Sequence, residues 1–396
     1  MSKVVVIGAG ASGIIAALTA SENNEVILLD SNDKCGKKIL VTGNGKCNYW
    51  NENINIDNYY SSDFNKLEKI LNNKKEVLTY LESLGIYPKI KNGYYYPLSG
   101  MATSIREIFE SELKRKNIKL KYNSKVINIE KENNKFIVIT NNEKIISDKV
   151  IIATGSKACP KTGSDGLGYD LAKYFGHKIN PVLPALVGLK TNEQIKEWSG
   201  VRTDASLSLY VDNNLVKKED GEIQLTEDGI SGICTFNLSS LVSKSLYKNK
   251  RVLIKINFMP SISNFYEFME NRNKLLPERT IEQLLESLLN YKLTAVILKK
   301  SNIKKDAHWD KLNINEKKLL CKNIESFELP IYATNSYDKA QVCTGGIPLN
   351  EINYDMSSIY DNNLYITGEL LDVDGLCGGF NLAFAFITGY IAGKSV

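Results

Sequence analysis

Val4-Val5-Val6-Ile7-Gly8-Ala9-Gly10-Ala11-Ser12-Gly13, with Val26-Ile27-Leu28-Leu29-Asp30 beyond it, is the stretch that decides the fold. The apolar β-branched run over residues 4–7 reads as a buried strand. Residues 12–21 read as a helix of small and apolar side chains, and residues 26–29 as a second buried strand ending at Asp30. A strand–helix–strand opening of this kind implies a parallel sheet. The glycines form a GxGxxG that follows a strand, opens a helix and has an acid at the end of the next strand, which is the context a dinucleotide turn requires. Gly8 permits the turn, Gly10 lets the backbone approach a pyrophosphate, and Gly13 lets helix and strand pack closely. The N–H groups that open the helix, at Ala11 and Ser12, attract phosphate. Asp30 can accept hydrogen bonds from both ribose hydroxyls of an adenosine. It disfavours a 2′-phosphate, which leaves FAD or NAD as the nucleotide.

Outward from this turn, residues 36–48 form a loop rich in Gly, Lys and Asn. Helices are expected over residues 63–84 and 103–116, strands with Asn-rich turns over 120–146, and an apolar strand over 150–153 stopped by Thr154-Gly155. After Pro181, short strands at 186–189, 207–211, 215–218 and 252–256 point to a β-rich domain. Residues 264–320 have few turn residues, and Leu284, Leu285, Leu288 and Leu289 recur there at helical spacing. A strand over 363–367 and a helix over 380–392 follow. The expected order is nested. An α/β, Rossmann-like nucleotide domain occupies residues 1–185 and resumes at 346–396. Between its parts lie a β-barrel-like domain at 186–257 and 327–345 and the helical insert, 258–326, that this domain carries.

The C-terminal stretch chooses between FAD and NAD. Leu364-Tyr365-Ile366-Thr367-Gly368-Glu369 reads as a strand ending in glycine and an acid, and Gly378-Gly379-Phe380-Asn381 opens a helix. Signatures this far apart in the chain suit a long cofactor that spans the domain. Glu369 can hold a ribityl hydroxyl. The helix start can face the flavin edge on which negative charge develops during reduction.

Three further stretches carry a family resemblance. They are Gly36-Lys37-Lys38-Ile39-Leu40-Val41-Thr42-Gly43-Asn44-Gly45-Lys46-Cys47-Asn48, then Ala153-Thr154-Gly155 with Pro160-Lys161-Thr162-Gly163-Ser164, then Gly368-Glu369 through Asp372 to Gly378, Gly379 and Asn381. Together the chain resembles the BaiN/RdsA-type FAD-dependent oxidoreductases, the aminoacetone-oxidase-family FAD-binding flavoproteins, over its whole length. The resemblance implies the FAD-binding fold of the glutathione-reductase class and noncovalent FAD. It implies hydride passing from NAD(P)H, docked transiently, through flavin N5 to a small organic acceptor such as an enone. Ser31 and Val126 complete the cofactor set. An FAD-dependent amine or aminoketone oxidase using O2 is the alternative within the class. An FAD-containing RNA-modifying or RNA-binding protein is the alternative outside it, resting on Lys299-Lys300 and Lys304-Lys305.

Composition sets the outer bounds. The 396 residues are 43% hydrophobic and 24% charged, which excludes a disordered or small disulfide-scaffold protein. A formal charge of +5 from 50 basic and 45 acidic residues, interleaved, gives no nucleic-acid tail. The seven cysteines contain no CxxC pair, so neither metal nor disulfide scaffold is expected, and reduced thiols fit the cytoplasm. No signal peptide or membrane span is expected. Cys35 and Cys47 are read as packed thiols and His177 as a capping or packing residue. No nucleophile–histidine–acid arrangement stands out. Among Tyr94, Tyr95 and Tyr96, the latter two are the candidate catalytic phenols, as a substrate wall or proton donor.

Overall fold

The computed structural model describes residues 1–396. The chain forms two compact units, residues 1–183 with 340–396, and residues 184–339. The first is built on a five-stranded parallel sheet in the order Leu364–Ile366, Lys149–Ile152, Lys3–Ile7, Glu25–Leu29, Lys119–Lys121. Val5 sits opposite Val150 on one side and Ile27 on the other, and Val4, Val5 and Val6 are fully buried. Such central strands are covered on both faces, which is why they read as continuous apolar runs.

Helix Ala11–Ala20 covers this sheet and is itself crossed by the C-terminal helix Phe380–Ser395. The crossing is close because Gly389 and Gly393 lie at it. A Cβ at Gly389 would collide with the Ser12 carbonyl, and one at Gly393 with the Ala16 carbonyl and the Thr19 hydroxyl. Thr388, beside Gly389, accepts a 3.0 Å hydrogen bond from the Gly368 N–H, so the same helix fixes the turn after the last parallel strand. Three antiparallel strands, Val126–Glu132, Lys135–Thr140 and Lys144–Ser147, form a separate small sheet. Another joins Trp50–Asn51, Tyr94–Pro97 and Pro88–Lys91.

The second unit holds a seven-stranded antiparallel sheet in the order Phe327–Ile331, Val252–Asn257, Arg202–Val211, Asn214–Thr226, Gly229–Ser231, Leu189–Lys190, Ala333–Thr334. Its helical segment comprises Phe265–Leu275, Ile281–Leu285, Tyr291–Lys300 and Ile314–Glu325. Trp198 and Phe327, 5.3 Å apart between ring centres, mark its core.

Several elements depart from expectation. The helix expected over 63–84 is two helices, Phe64–Leu71 and Lys74–Ser83, because Asn72-Asn73 interrupts it and Asp63 caps only the first. Helix Ile233–Tyr247 was not expected, since buried Ser239, Ser240 and Ser243 blur its apolar periodicity. The unit breaks fall after Leu183 and Lys339 rather than after 185 and 345. Strand Val342–Gly346 was not expected, and it belongs to the first unit, where a Cβ on Gly345 would meet the Pro181 carbonyl. No helix is long and apolar enough to cross a membrane.

Candidate functional site

A cavity opens at the C-terminal ends of the parallel strands, where ligands bind in open α/β sheets. The empty space along it, counted out to open solvent, is about 980 Å³. The three glycines of the first turn play different parts in it. Gly8 has φ +101°, donates its N–H to Leu29 O at 2.8 Å, and leaves no room for a Cβ, which would stand 2.5 Å from Ala153 O. A Cβ on Gly13 would collide with the Gly8 carbonyl. A Cβ on Gly10 would meet nothing within 4 Å and would project into the cavity. Gly10 also caps the helix without any side-chain bond, and the first turn holds no acid. The N–H groups of Ala11 and Ser12 therefore remain for an anion at a cradle that a side chain would fill. This geometry fits the pyrophosphate of FAD.

Asp30 lines the same cavity. Its Oδ2 accepts from Ala9 N at 2.7 Å, and its Oδ1 accepts from Asn32 N at 2.8 Å and Asn32 Nδ2 at 2.9 Å. Lys37 donates to Asn32 Oδ1 at 3.0 Å. Burial raises the Asp30 pKa, against these hydrogen bonds and the Lys37 charge. Three donors leave a carboxylate with acceptor capacity for a ribose hydroxyl. Ser31, Val126, Ala153, Thr154 and Gly155 line the same region. Asn32 is a site residue that sequence reading passed over, although an Asn two residues after an acid is the spacing of a local side-chain turn.

Glu369 and Lys38 also line the cavity, joined by a 3.0 Å ion pair. Ser156 Oγ donates to the same Glu369 Oε2 at 3.0 Å, and Tyr169 OH to the Glu369 carbonyl at 3.2 Å. Glu369 Oε1 is left for a ligand hydroxyl. Asn381 lines the cavity, but its amide is committed to Gly375, accepting from its N–H and donating to its carbonyl, both at 2.8 Å. It locks the turn before the C-terminal helix.

The remaining candidates do not line this cavity. Gly368 turns the chain at φ +70° against Ser12. Asp372 is buried and accepts from Asn180 Nδ2 at 2.7 Å, which makes it a structural group. Thr42, Gly43 and Asn44 kink the segment Ile39–Gly45, with Gly43 at φ +55° and Asn44 at φ +52°, and Thr42 donates to Ile39 O at 2.7 Å. Cys47 is fully buried and its thiol is pushed up to about 11 by burial. With its amide turned to donate, Asn48 bridges the Tyr95 and Trp50 carbonyls. Gly378 and Gly379 lead into the helix, and Phe380 packs edge-on against Tyr59 at 5.8 Å. These residues gather around the strand Tyr94–Pro97. Tyr94 and Tyr96 lie there beside Gly378 and Gly43, whereas Tyr95 turns away against Tyr49.

His177 is the packing residue expected, held in an arrangement that sequence spacing does not reveal. His177 Nε2 lies 2.8 Å from Ser358 Oγ, and its Nδ1 lies 3.2 Å from Glu351 Oε2. This is a serine–histidine–acid sequence, but His177 and Ser358 are buried and no substrate reaches the hydroxyl. The group joins the segment after helix Leu167–Tyr174 to the 349–360 loop. The lysines behind the RNA alternative are partly engaged: Lys299 pairs with Glu197 at 2.8 Å and Lys300 with Glu193 at 2.6 Å.

The fold and this cavity define a Rossmann-type FAD-binding flavoprotein. The chain belongs to the family described as HI0933-like protein Rossmann domain, whose model matches residues 2–395, and it is an FAD-dependent oxidoreductase. It is 36% identical over 404 residues to a 3-dehydro-bile acid delta(4,6)-reductase of Clostridium scindens, covering 100% of this chain and 99% of that one. It is 24% identical to a ribosomal RNA dihydrouridine synthase of Escherichia coli, covering 99% of this chain and 97% of that one. A Haemophilus influenzae protein of the same name is 27% identical, over 100% and 98%. Among solved structures, a flavocytochrome c3 fumarate reductase is similar with TM-score 0.51 at 15% identity, covering 100% of this chain and 78% of that one. A 3-ketosteroid-delta4-(5alpha)-dehydrogenase of Rhodococcus jostii has TM-score 0.51 at 12% identity, covering 100% and 96%. Both likenesses are of fold.

Proposed function

We propose that the protein reduces a carbon–carbon double bond conjugated to a carbonyl, holding FAD noncovalently and drawing its electrons from NAD(P)H. The observation that carries the reading is the cavity itself, lined by Asp30, the bare face of Gly10 and Glu369. When bound, FAD supplies the hydride chemistry. Gly10, Ala11 and Ser12 bind the pyrophosphate through backbone N–H groups. Asp30 accepts from the adenosine ribose, and Glu369, held in place by Lys38 and Ser156, accepts from the ribityl chain. The C-terminal helix presents the N–H groups of its first turn toward accumulating negative charge.

No cysteine, histidine or tyrosine lines the cavity, so no thiol, imidazole or phenol is at hand to attach a flavin. The chain has no second GxGxxG in a strand–helix–strand frame, which favours a nicotinamide that docks and leaves. The names of the relatives support the acceptor class. One is named a delta(4,6)-reductase and two are named dihydrouridine synthases, and both names describe hydrogen added to a double bond. The 36% relative makes a small unsaturated ring ketone the first substrate reading, and the two more distant ones make a uracil ring in RNA the second.

Anaerobic reduction by NADH and NADPH, followed by mixing with a 3-keto-4-ene steroid, ribosomal RNA or O2, tests this. Flavin reoxidation by the steroid well above the buffer control is expected. Reoxidation by RNA alone moves the substrate to the second reading. Reoxidation by O2 alone, with peroxide release and amine turnover without any nicotinamide, contradicts the proposal.

A further inference from the structure

Strand Tyr94–Pro97 is the middle strand of its sheet, with Tyr95 opposite Trp50 and Ile90, Tyr94 opposite Asn51 and Lys91, and Tyr96 opposite Lys89. Side chains alternate along a strand, so Tyr94 and Tyr96 share one face and Tyr95 takes the other. The contacts say which face is which. The Tyr95 ring meets Tyr49 edge-on at 6.3 Å and packs against the core. The Tyr94 ring lies where a Cβ on Gly378 would stand, 2.7 Å from that position. The Tyr96 ring is 4.0 Å from a Cβ position on Gly43.

Two glycine-rich loops from distant parts of the chain thus present bare backbone to the same pair of phenols. Both loops also reach the nucleotide cavity. Lys38 and Ile39 of the first line it, and Asn381 and Leu382 follow directly on the second. The pair is half-buried, and neither hydroxyl makes a hydrogen bond within the chain. Tyr94 is near enough to Tyr96 to add to the upward shift that burial gives the Tyr96 pKa. The two donors do not line the nucleotide cavity itself but stand beside two loops that do, with no partner for either hydroxyl within the chain.

We propose that Tyr94 and Tyr96 form a two-donor binding site for the oxygen of a conjugated carbonyl substrate, and that Tyr95 takes no part in it. This rests on the reading of the cavity as an FAD site and supplies the substrate contact that reading lacks. A carbonyl oxygen becomes an enolate oxygen as the double bond is reduced, and fixed donors bind the anion more strongly than the neutral group.

The test uses the full-length, FAD-loaded protein and 4-nitrophenol. Its phenolate is a planar conjugated oxyanion whose own absorption reports binding. Y94F and Y96F are each expected to raise its Kd ~10-fold or more, the loss expected for a hydrogen bond to a charged group. Y95F is expected to leave it within about twofold, since a phenol outside the site makes no such bond. Failure of the wild type to bind the phenolate, unchanged Kd in Y94F and Y96F, or an equal loss in Y95F overturns the proposal. The flavin absorbance of each preparation separates the two claims. A folded wild type without flavin overturns the underlying reading, and full flavin with an unmoved Kd overturns the tyrosine pair alone.

Discussion

Gly10 and Gly13 lie three residues apart and face opposite requirements. The space beside Gly10 is open and belongs to the cavity, whereas the space beside Gly13 is already filled by the Gly8 carbonyl. Gly10→Val is therefore expected to lose FAD while keeping wild-type circular dichroism. Gly13→Val is expected to lower stability by about 2 kcal/mol or more, because backbone must move to admit the side chain. Flavin absorbance and a thermal melt on each variant separate the two effects. Cys47 gives a second residue-scale expectation. It is fully buried with a thiol pushed up to about 11, and Cys35 is fully buried with a raised pKa. Since the thiolate is the reactive form, iodoacetamide at pH 8 is expected to spare both and to modify the partly exposed Cys159 and Cys377 first, as read by mass spectrometry. Early labelling of Cys47 would show that the loop opens in solution.

At the scale of elements, the His177–Glu351–Ser358 group shows what local pattern cannot reveal. The three residues are joined only when the chain has folded, so spacing carries no trace of them. By contrast, the turn over residues 8–13 was legible because its chemistry is complete within one strand, one turn and one helix. Tyr94, Tyr95 and Tyr96 fall between these cases. The sequence marks a tyrosine run, but only strand pairing decides which ring faces the glycines. Strand Val342–Gly346 carries no mark in the sequence of the unit it joins, because so short a strand looks the same in either.

The buried histidine group also has a consequence in pH. Burial lowers the His177 pKa below 6.5, with the Glu351 carboxylate opposing the shift. As pH falls through about 6.5, the unfolded chain takes up a proton that the native imidazole still refuses. The stabilising contribution is therefore fully present above that pH and is lost below it. Wild-type Tm is expected to fall on acidification more steeply than that of His177→Gln. At pH 7.5 the variant should already melt lower, because it leaves Glu351 and Ser358 without their buried partner. Parallel Tm–pH curves for the two proteins would remove His177 from the account.

At the scale of the whole molecule, the cofactor joins segments that are far apart in the chain. Its expected partners lie at residues 8–13, at Asp30, and at Lys38 with Glu369, and the C-terminal helix ties the last of these to the first helix through Thr388, Gly389 and Gly393. A ligand bound only by the native state stabilises it by mass action, about 2.7 kcal/mol at a hundredfold excess over Kd. Removing flavin by mild chaotrope is expected to lower Tm by several degrees, and added FAD to restore it. FMN, which lacks the adenosine that Asp30 would hold, is expected to restore much less.

All of this depends on which flavin the folded protein carries. Heat or acid denaturation of the purified protein, followed by chromatography of what is released, reads that directly. Free FAD at close to one per chain is expected. FMN alone, a flavin that stays attached to the denatured chain, or a folded preparation without flavin would contradict it.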